Sequence, residues 1–323
     1  MRRISTLLAV ALALPAVAAG AGKDVRLSLV AYSTPKDAYG KLIPAFQKTA
    51  AGKGVSFSQS YGASGDQARA VAAGLPADIV ELSLAPDVSL LVQKGIVSPS
   101  WDKNTWHGIV TRSVVVFVVR GGNPKHIRAW SDLLKPGVQV VTPNPFTSGG
   151  ARWNIMAAYG GALRAGKSPK QAIAYLTQLF KKHVVAQPSS AREALQTFLA
   201  GRGDVLLSYE NEAILAKNKG QSVNWVAPKA TILIENLIAV TSTTKHATQA
   251  KSFVKFLYTP QAQLLFAETG YRPVLKSAQK KFRFTNPKQL FTIGYVGGWT
   301  RVQKKFFDPN SSVMATIERR LGG

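Results

Sequence analysis

The sequence contains no cysteine. Disulfides, thiol nucleophiles and thiolate metal sites are therefore excluded together, as is a lipid-bearing cysteine that would tether an exported chain to a membrane. Acidic residues are scarce: 16 Asp and Glu stand against 41 Lys and Arg, for a formal net charge of +25. A chain with few carboxylates has few groups whose protonation unfolds it in acid, which fits an acid-exposed habitat. The bases are spread in ones and twos, with no long basic run and no nucleic-acid fold motif, so nucleic acid is not an expected partner. His107, His126, His183 and His246 lie in unrelated settings without metal-ligand spacing. No internal repeat or low-complexity linker interrupts the chain. Past the N-terminus no run is apolar and long enough to span a bilayer, so a soluble mature protein is expected.

The N-terminus does carry an apolar run. Arg2 and Arg3 precede residues 4–17, which are apolar, and Ala16-Val17-Ala18 and Ala19-Gly20-Ala21 both fit the small-x-small cleavage pattern. Pro15 and the Gly20–Lys23 stretch stop it short of a spanning helix. Residues 1–21 are expected to be a signal peptide cleaved after Ala18 or Ala21, which leaves 25 − 2 = +23 on the mature chain. An exported, untethered protein points to a periplasm. The roughly 300 remaining residues suggest two domains.

Short β-rich runs alternate with helical patterns from end to end, the mark of α/β layering. Strands are expected at 25–32, 55–61, 79–82, 113–119, 138–142, 183–186, 205–208 and 232–240. Helices are expected from Ser33 or Thr34 to a kink or stop at Pro44, then at 86–94, 131–134, 150–165, 169–182, 191–200, 247–258, 260–269 and 302–307. Domains joined by continuous strands rather than a tether would leave a hinged cleft, a favoured place for a ligand.

Three segments share one local logic, in which a strand ends, a Ser/Gly turn follows and a helix begins. They are Tyr32-Ser33-Thr34-Pro35, the run from Tyr61 through Ser64-Gly65 to Gln67, and the run from Thr142 through Thr147-Ser148-Gly149-Gly150 to Trp153. A helix N-terminus exposes unpaired N–H groups and a partial positive charge, so it holds an anion without an ionised side chain. Glycine there lets the anion reach the backbone. Ser64 and Ser148 serve equally well as plain helix caps, since Ser64 stands three residues before Gln67, a capping-box spacing.

The run Asn144-Pro145-x-Thr147-Ser148-Gly149-Gly150-Ala151-Arg152-Trp153-Asn154 closely resembles the sulfate-binding proteins of bacterial ABC importers. The resemblance covers nearly all the mature chain, through Gly65-x-Gln67-Ala68-Arg69, Gly203-Asp204-Val205 to Ala213, Tyr271-Arg272-Pro273-Val274 and Gly297-Gly298-Trp299. It implies an α/β, two-lobed periplasmic binding protein fold of type II. Lobe I would be residues 22–111 plus 235–323 and lobe II residues 112–234, hinged around a central cleft. It further implies that Ser64, Ser148, Gly149, Gly150 and Ala191 hold the anion and that a transmembrane permease receives it from a monomer. Tyr209 stands where the family has a tryptophan donor, Ser33 where it usually has an aspartate, and Phe146 where it usually has a lysine. Tyr209 still donates through its hydroxyl. With Ser33 in place of an acid, the pocket is expected to hold no titrating group.

The resemblance also favours Arg152 and Arg192 as braces behind the donor turns rather than direct partners of the anion. Sulfate carries no proton, so every contact to it is a donor, whereas hydrogen phosphate needs an acceptor. Molybdate, tungstate, selenate and phosphate are the alternative oxyanions, and a cationic surface-adhesion protein is the alternative of another class. Catalysis is not expected: Glu210-Asn211-Glu212 has no companion Asp/His cluster, and no metal or cofactor is called for.

Overall fold

The computed structural model describes residues 25–319; the expected signal peptide, 1–21, lies outside the described residues. The strands are β1 Val25–Tyr32, β2 Val55–Gly62, β3 Ile79–Leu82, β4 Ile109–Arg120, β5 Val140–Val141, β6 Val184–Ala186, β7 Val205–Tyr209, β8 Val223–Val226, β9 Ala230–Val240, β10 Arg272–Pro273 and β11 Gln289–Phe291. The helices are α1 Lys36–Gln47, α2 Ser64–Ala72, α3 Ala85–Gln93, α4 Gly149–Arg164, α5 Pro169–Lys182, α6 Ala191–Leu199, α7 Glu210–Asn218, α8 Ala247–Leu257, α9 Pro260–Glu268, α10 Lys276–Gln279, α11 Gly298–Val302 and α12 Val313–Arg319.

The sheet runs β2-β1-β3-β9-β4-β7-β5-β6. Its wings are parallel, β1 with β2 and β3 on one side and β5 with β6 and β7 on the other. Between them β4 and β9 pair antiparallel. The first half of β4 bonds to β9, while Val115 to Val119 bond to β7, so one strand serves both wings. Its sequence is apolar without alternation because helices cover both faces. Val114, Val116 and Val118 pack with Ala194, Phe198 and Ala213, whereas Val115, Phe117 and Val119 join the larger core around Trp153 and Tyr175. In each wing a helix starts near the carboxyl end of a parallel strand, the end where open α/β sheets hold ligands.

Three expected elements differ. Helix α1 starts after Pro35 and runs through Pro44, because burial of Leu42, Ile43 and Phe46 outweighs the proline's missing hydrogen bond. The expected helix at 302–307 is instead α11, which widens into a π-turn over Gln303–Phe307. The segment 131–134 lies in a 3-10 turn, Trp130–Leu134. The C-terminal segment returns to the second wing. There β11 pairs with Ala230 to Ile232 of β9, α12 packs on α5, and Gln187 donates to Glu318 at 3.1 Å. Among the described residues no helix is long and apolar enough to cross a membrane.

Several carboxylates are fully enclosed, Glu81 among them. Glu81 on β3 accepts the Tyr39 hydroxyl through one oxygen, and its other oxygen has no partner among the described residues. Burial pushes its carboxyl up to about 8. A folded-state value above the unfolded one means stability that is full in acid and is lost as pH rises towards 8. Glu81→Gln is therefore expected to melt above the wild type near pH 9 and alongside it near pH 5. Scanning calorimetry checks this, and a difference independent of pH contradicts it.

Candidate anion-binding site

Helix α4 begins at Gly149, and Ser148 caps it by accepting the Ala151 N–H at 3.3 Å. The first N–H groups of a helix, here those of Gly149 and Gly150, have no intrahelical acceptor. Neighbouring turns close in on both glycines, more tightly on Gly149. A Cβ on Gly149 would stand 2.6 Å from Ser83 Oγ and 2.7 Å from Leu84 Cδ2. One on Gly150 would stand 3.2 Å from Ala191 Cβ and 3.3 Å from Tyr209 Cε1.

The other turns converge here. Ala191 opens α6, whose cap Ser190 accepts the Glu193 N–H at 3.2 Å. Ser33 reaches the same helix end from the β1–α1 turn and accepts the Arg192 N–H at 3.3 Å. In α2 the Gly65 N–H donates to Thr147 O at 3.0 Å, just ahead of α4. Tyr209, at the end of β7, bonds through its hydroxyl to Ser83 Oγ at 2.6 Å. Ser33, Ser64, Ser148, Gly149, Gly150, Ala191 and Tyr209 thus form one buried cluster where the two wings meet.

The two serines read as possible caps separate. Ser148 is a cap. Ser64 is not: Ala63 precedes the helix, and the Gln67 side chain bonds to Ser60 at 3.1 Å. The Ser64 hydroxyl instead donates to Asp87 Oδ2 at 2.6 Å and accepts the Ser83 N–H at 2.9 Å.

Ser83 and Asp87 are bonded into this cluster and were not among the expected residues. Their signal was a fourth junction of the same kind, Leu82-Ser83-Leu84-Ala85-Pro86, with a serine after the strand and a proline in the first helical turn. Asp87 also corrects the expectation of a pocket without a titrating group. Burial pushes its carboxyl above the usual range, against the pull of Arg152 and the Ser64 hydrogen bond.

Both arginines are engaged with the protein. Arg152 donates from Nε to Pro145 O at 2.9 Å and from Nη1 to Gln303 Oε1 at 3.1 Å, with its guanidinium 3.9 Å from Asp87. Arg192 grips Glu212 through two bonds of 2.8 and 2.9 Å, Asp37 at 2.7 Å and Thr34 O at 3.0 Å. Burial lowers the Arg192 pKa, but the Glu212 and Asp37 carboxylates together outweigh it and the net direction is up. Lys219 also donates to Asp37. Glu210 is taken by Arg272 at 2.7 Å and by Thr285. Glu210 and Glu212 are thus ion-pair anchors in the first turn of α7. Among the described residues no group of three His, Asp or Glu is placed to hold a metal. The Phe146 carbonyl accepts from Arg69 at 3.3 Å, and its ring packs on the core.

Residues 27–272 match the model of the bacterial extracellular solute-binding proteins. A sulfate-binding protein of Synechococcus elongatus is 43% identical over 299 residues, 89% of this chain and 85% of that protein. The chain belongs to the sulfate-binding protein family of the bacterial extracellular solute-binding proteins. These are solute carriers, not enzymes. A solved structure, the sulfate-binding protein SubI of Mycobacterium tuberculosis, superposes with a TM-score of 0.85 at 45% identity, covering 88% of this chain and all of that one. A thiosulfate-binding protein of Pseudomonas aeruginosa is 35% identical, covering 95% of this chain and 96% of that protein. The fold is therefore the mixed α/β periplasmic binding protein fold of type II.

Proposed function

We propose that the protein captures sulfate, and with it thiosulfate, at the head of α4 and delivers it to the transmembrane permease of an ABC importer. The observation that carries this is the pair Gly149 and Gly150, where a helix N-terminus abuts Ser83, Ala191 and Tyr209 with no room for a Cβ on Gly149. The nearby arginines are engaged in ion pairs and carbonyl bonds, so the donors offered to a ligand are backbone amides and hydroxyls. That set suits a small, fully ionised tetrahedral anion. The names borne by the relatives, sulfate-binding and thiosulfate-binding, support the same chemistry.

The two wings act as lobes that close on the anion, with β4 and β9 as the crossing strands. Residues 25–113 and 234–288 form one lobe, and 114–233 with 289–319 form the other. Residues 289–319 go to the second lobe because β11 and α12 pack there, not to the first as the sequence reading had them. The protein works as a periplasmic monomer.

A ligand that binds the native state alone, at a hundredfold excess over its Kd, stabilises it by about 2.7 kcal/mol. Protein stripped of ligand is therefore expected to melt higher with sulfate, by differential scanning fluorimetry against thiosulfate, selenate, molybdate, tungstate and phosphate. No shift with any of them would overturn the reading; a shift confined to molybdate or tungstate would overturn sulfate alone.

A further inference from the structure

The helix heads at the site offer N–H groups, but at one point two hydroxyls face each other. Ser83 Oγ and the Tyr209 hydroxyl are 2.6 Å apart, and both residues are 1% exposed. Ser83 belongs to the turn between β3 and α3 and Tyr209 to the end of β7, so this bond joins the two wings. Ser83 is firmly held: its N–H donates to Ser64 Oγ at 2.9 Å, and its carbonyl accepts the Trp153 indole N–H at 2.9 Å. The pair lies against the two residues at the head of α4, as the close approaches to Gly149 and Gly150 require.

An amide N–H only donates, whereas a hydroxyl both donates and accepts. When one hydroxyl of the pair donates to the other, the pair keeps one hydrogen to turn outward and lone pairs on the donating oxygen. A fully ionised tetrahedral anion uses that hydrogen. A monohydrogen anion carries one X–O–H, which a donor-only pocket leaves unpaired. The hydroxyl pair accepts that hydrogen and still donates to a neighbouring oxygen of the same ligand.

We propose that Ser83 is a further residue of the anion site, and that the Ser83–Tyr209 pair extends its ligands to monohydrogen tetrahedral oxyanions such as hydrogen phosphate, bound below sulfate in affinity. This rests on the reading of the cluster as a sulfate site.

The test titrates sulfate and inorganic phosphate, near pH 8, into stripped wild type and into the Ser83→Ala/Tyr209→Phe double variant by calorimetry. The wild type is expected to bind both. In the double variant sulfate loses a donor and should weaken about tenfold, while phosphate loses a donor and its acceptor and should weaken about a hundredfold or more. A wild type that binds sulfate but gives no heat with phosphate overturns the inference and leaves the proposed function standing. One that binds neither overturns the function itself. Equal losses for the two anions in the double variant also overturn the inference. Should the double variant not fold, Ser83→Ala alone carries the contrast at smaller size. It leaves one hydroxyl, whose single oxygen cannot accept from the X–O–H and donate to a second oxygen of the same small anion with good angles at once, so phosphate should again lose more than sulfate.

Discussion

Gly149→Ala is expected to lower sulfate affinity by about tenfold to a hundredfold, and Gly149→Leu to abolish binding, with both variants folded. The added Cβ meets Ser83 Oγ at 2.6 Å, Leu84 Cδ2 at 2.7 Å and Ser83 Cβ at 2.8 Å. Overpacking of this kind costs about 1–3 kcal/mol, and 1.4 kcal/mol is a factor of ten. All three atoms belong to the β3–α3 turn, not to the wing that carries α4. The clash therefore opposes closure of the two wings rather than the folding of either. Gly150→Ala is the control: its Cβ would meet Ala191, Tyr209 and Ser148 at 3.2–3.4 Å, all within its own wing, and a loss of only a few-fold is expected. Calorimetry with far-UV circular dichroism measures both. Wild-type affinity in Gly149→Leu would mean that the turn only starts a helix.

Arg192→Met is expected to destabilise the protein more than any change at the anion contacts themselves. Glu212 is fully buried and depends on the two-bond grip of Arg192. Removing one partner of a buried ion pair costs about 3–5 kcal/mol, roughly 5–8 °C in Tm for a chain of this size. The same change breaks the Asp37 bridge and the bond to Thr34 O, which join α6 to the first turn of α1 and the turn before it, so affinity should fall too. The loss should depend on pH. Burial already pushes the Glu212 carboxyl up, with Arg192 as the main opposing influence. Without that arginine the ionised form destabilises the fold at neutral pH and above, and the penalty fades once acid protonates the group. Thermal melts of Arg192→Met are therefore expected to approach the wild type as pH falls towards about 4, and Glu212→Gln in the same background should recover part of the loss at pH 7. A penalty equal at both pH values would show that the pair is not what Arg192 contributes.

Much of this was legible in the sequence because local chemistry and tertiary role coincide there. Val25–Tyr32 and Pro169–Lys182 have the predicted bounds: one is an alternating strand, the other has a Ser168 cap, a proline in its first turn and an amphipathic face. The Ser148-Gly149-Gly150 turn was visible because a capping serine before two glycines has few other uses. Helix α1 was misjudged at Pro44 because local propensity does not register the burial of Leu42 and Phe46. Ser83 was missed because a lone serine after a short strand carries no weight until Tyr209, 126 residues away, is set opposite it. Asp87 is in sequence only an acid in the first turn of a helix; packing against Ser64 and Arg152 brings it to the cluster. The short strands β8, β10 and β11 hold their pairing through partners distant in sequence, and nothing local announces them.

The central claim is that the amides of Gly149 and Gly150 hold the anion. Protein labelled with 15N at glycine, stripped of ligand and titrated with sulfate, tests it most directly by following amide proton shifts. The account predicts that these two resonances move downfield and saturate at one equivalent of sulfate. Sulfate that binds by calorimetry while both amides stay unmoved would contradict it.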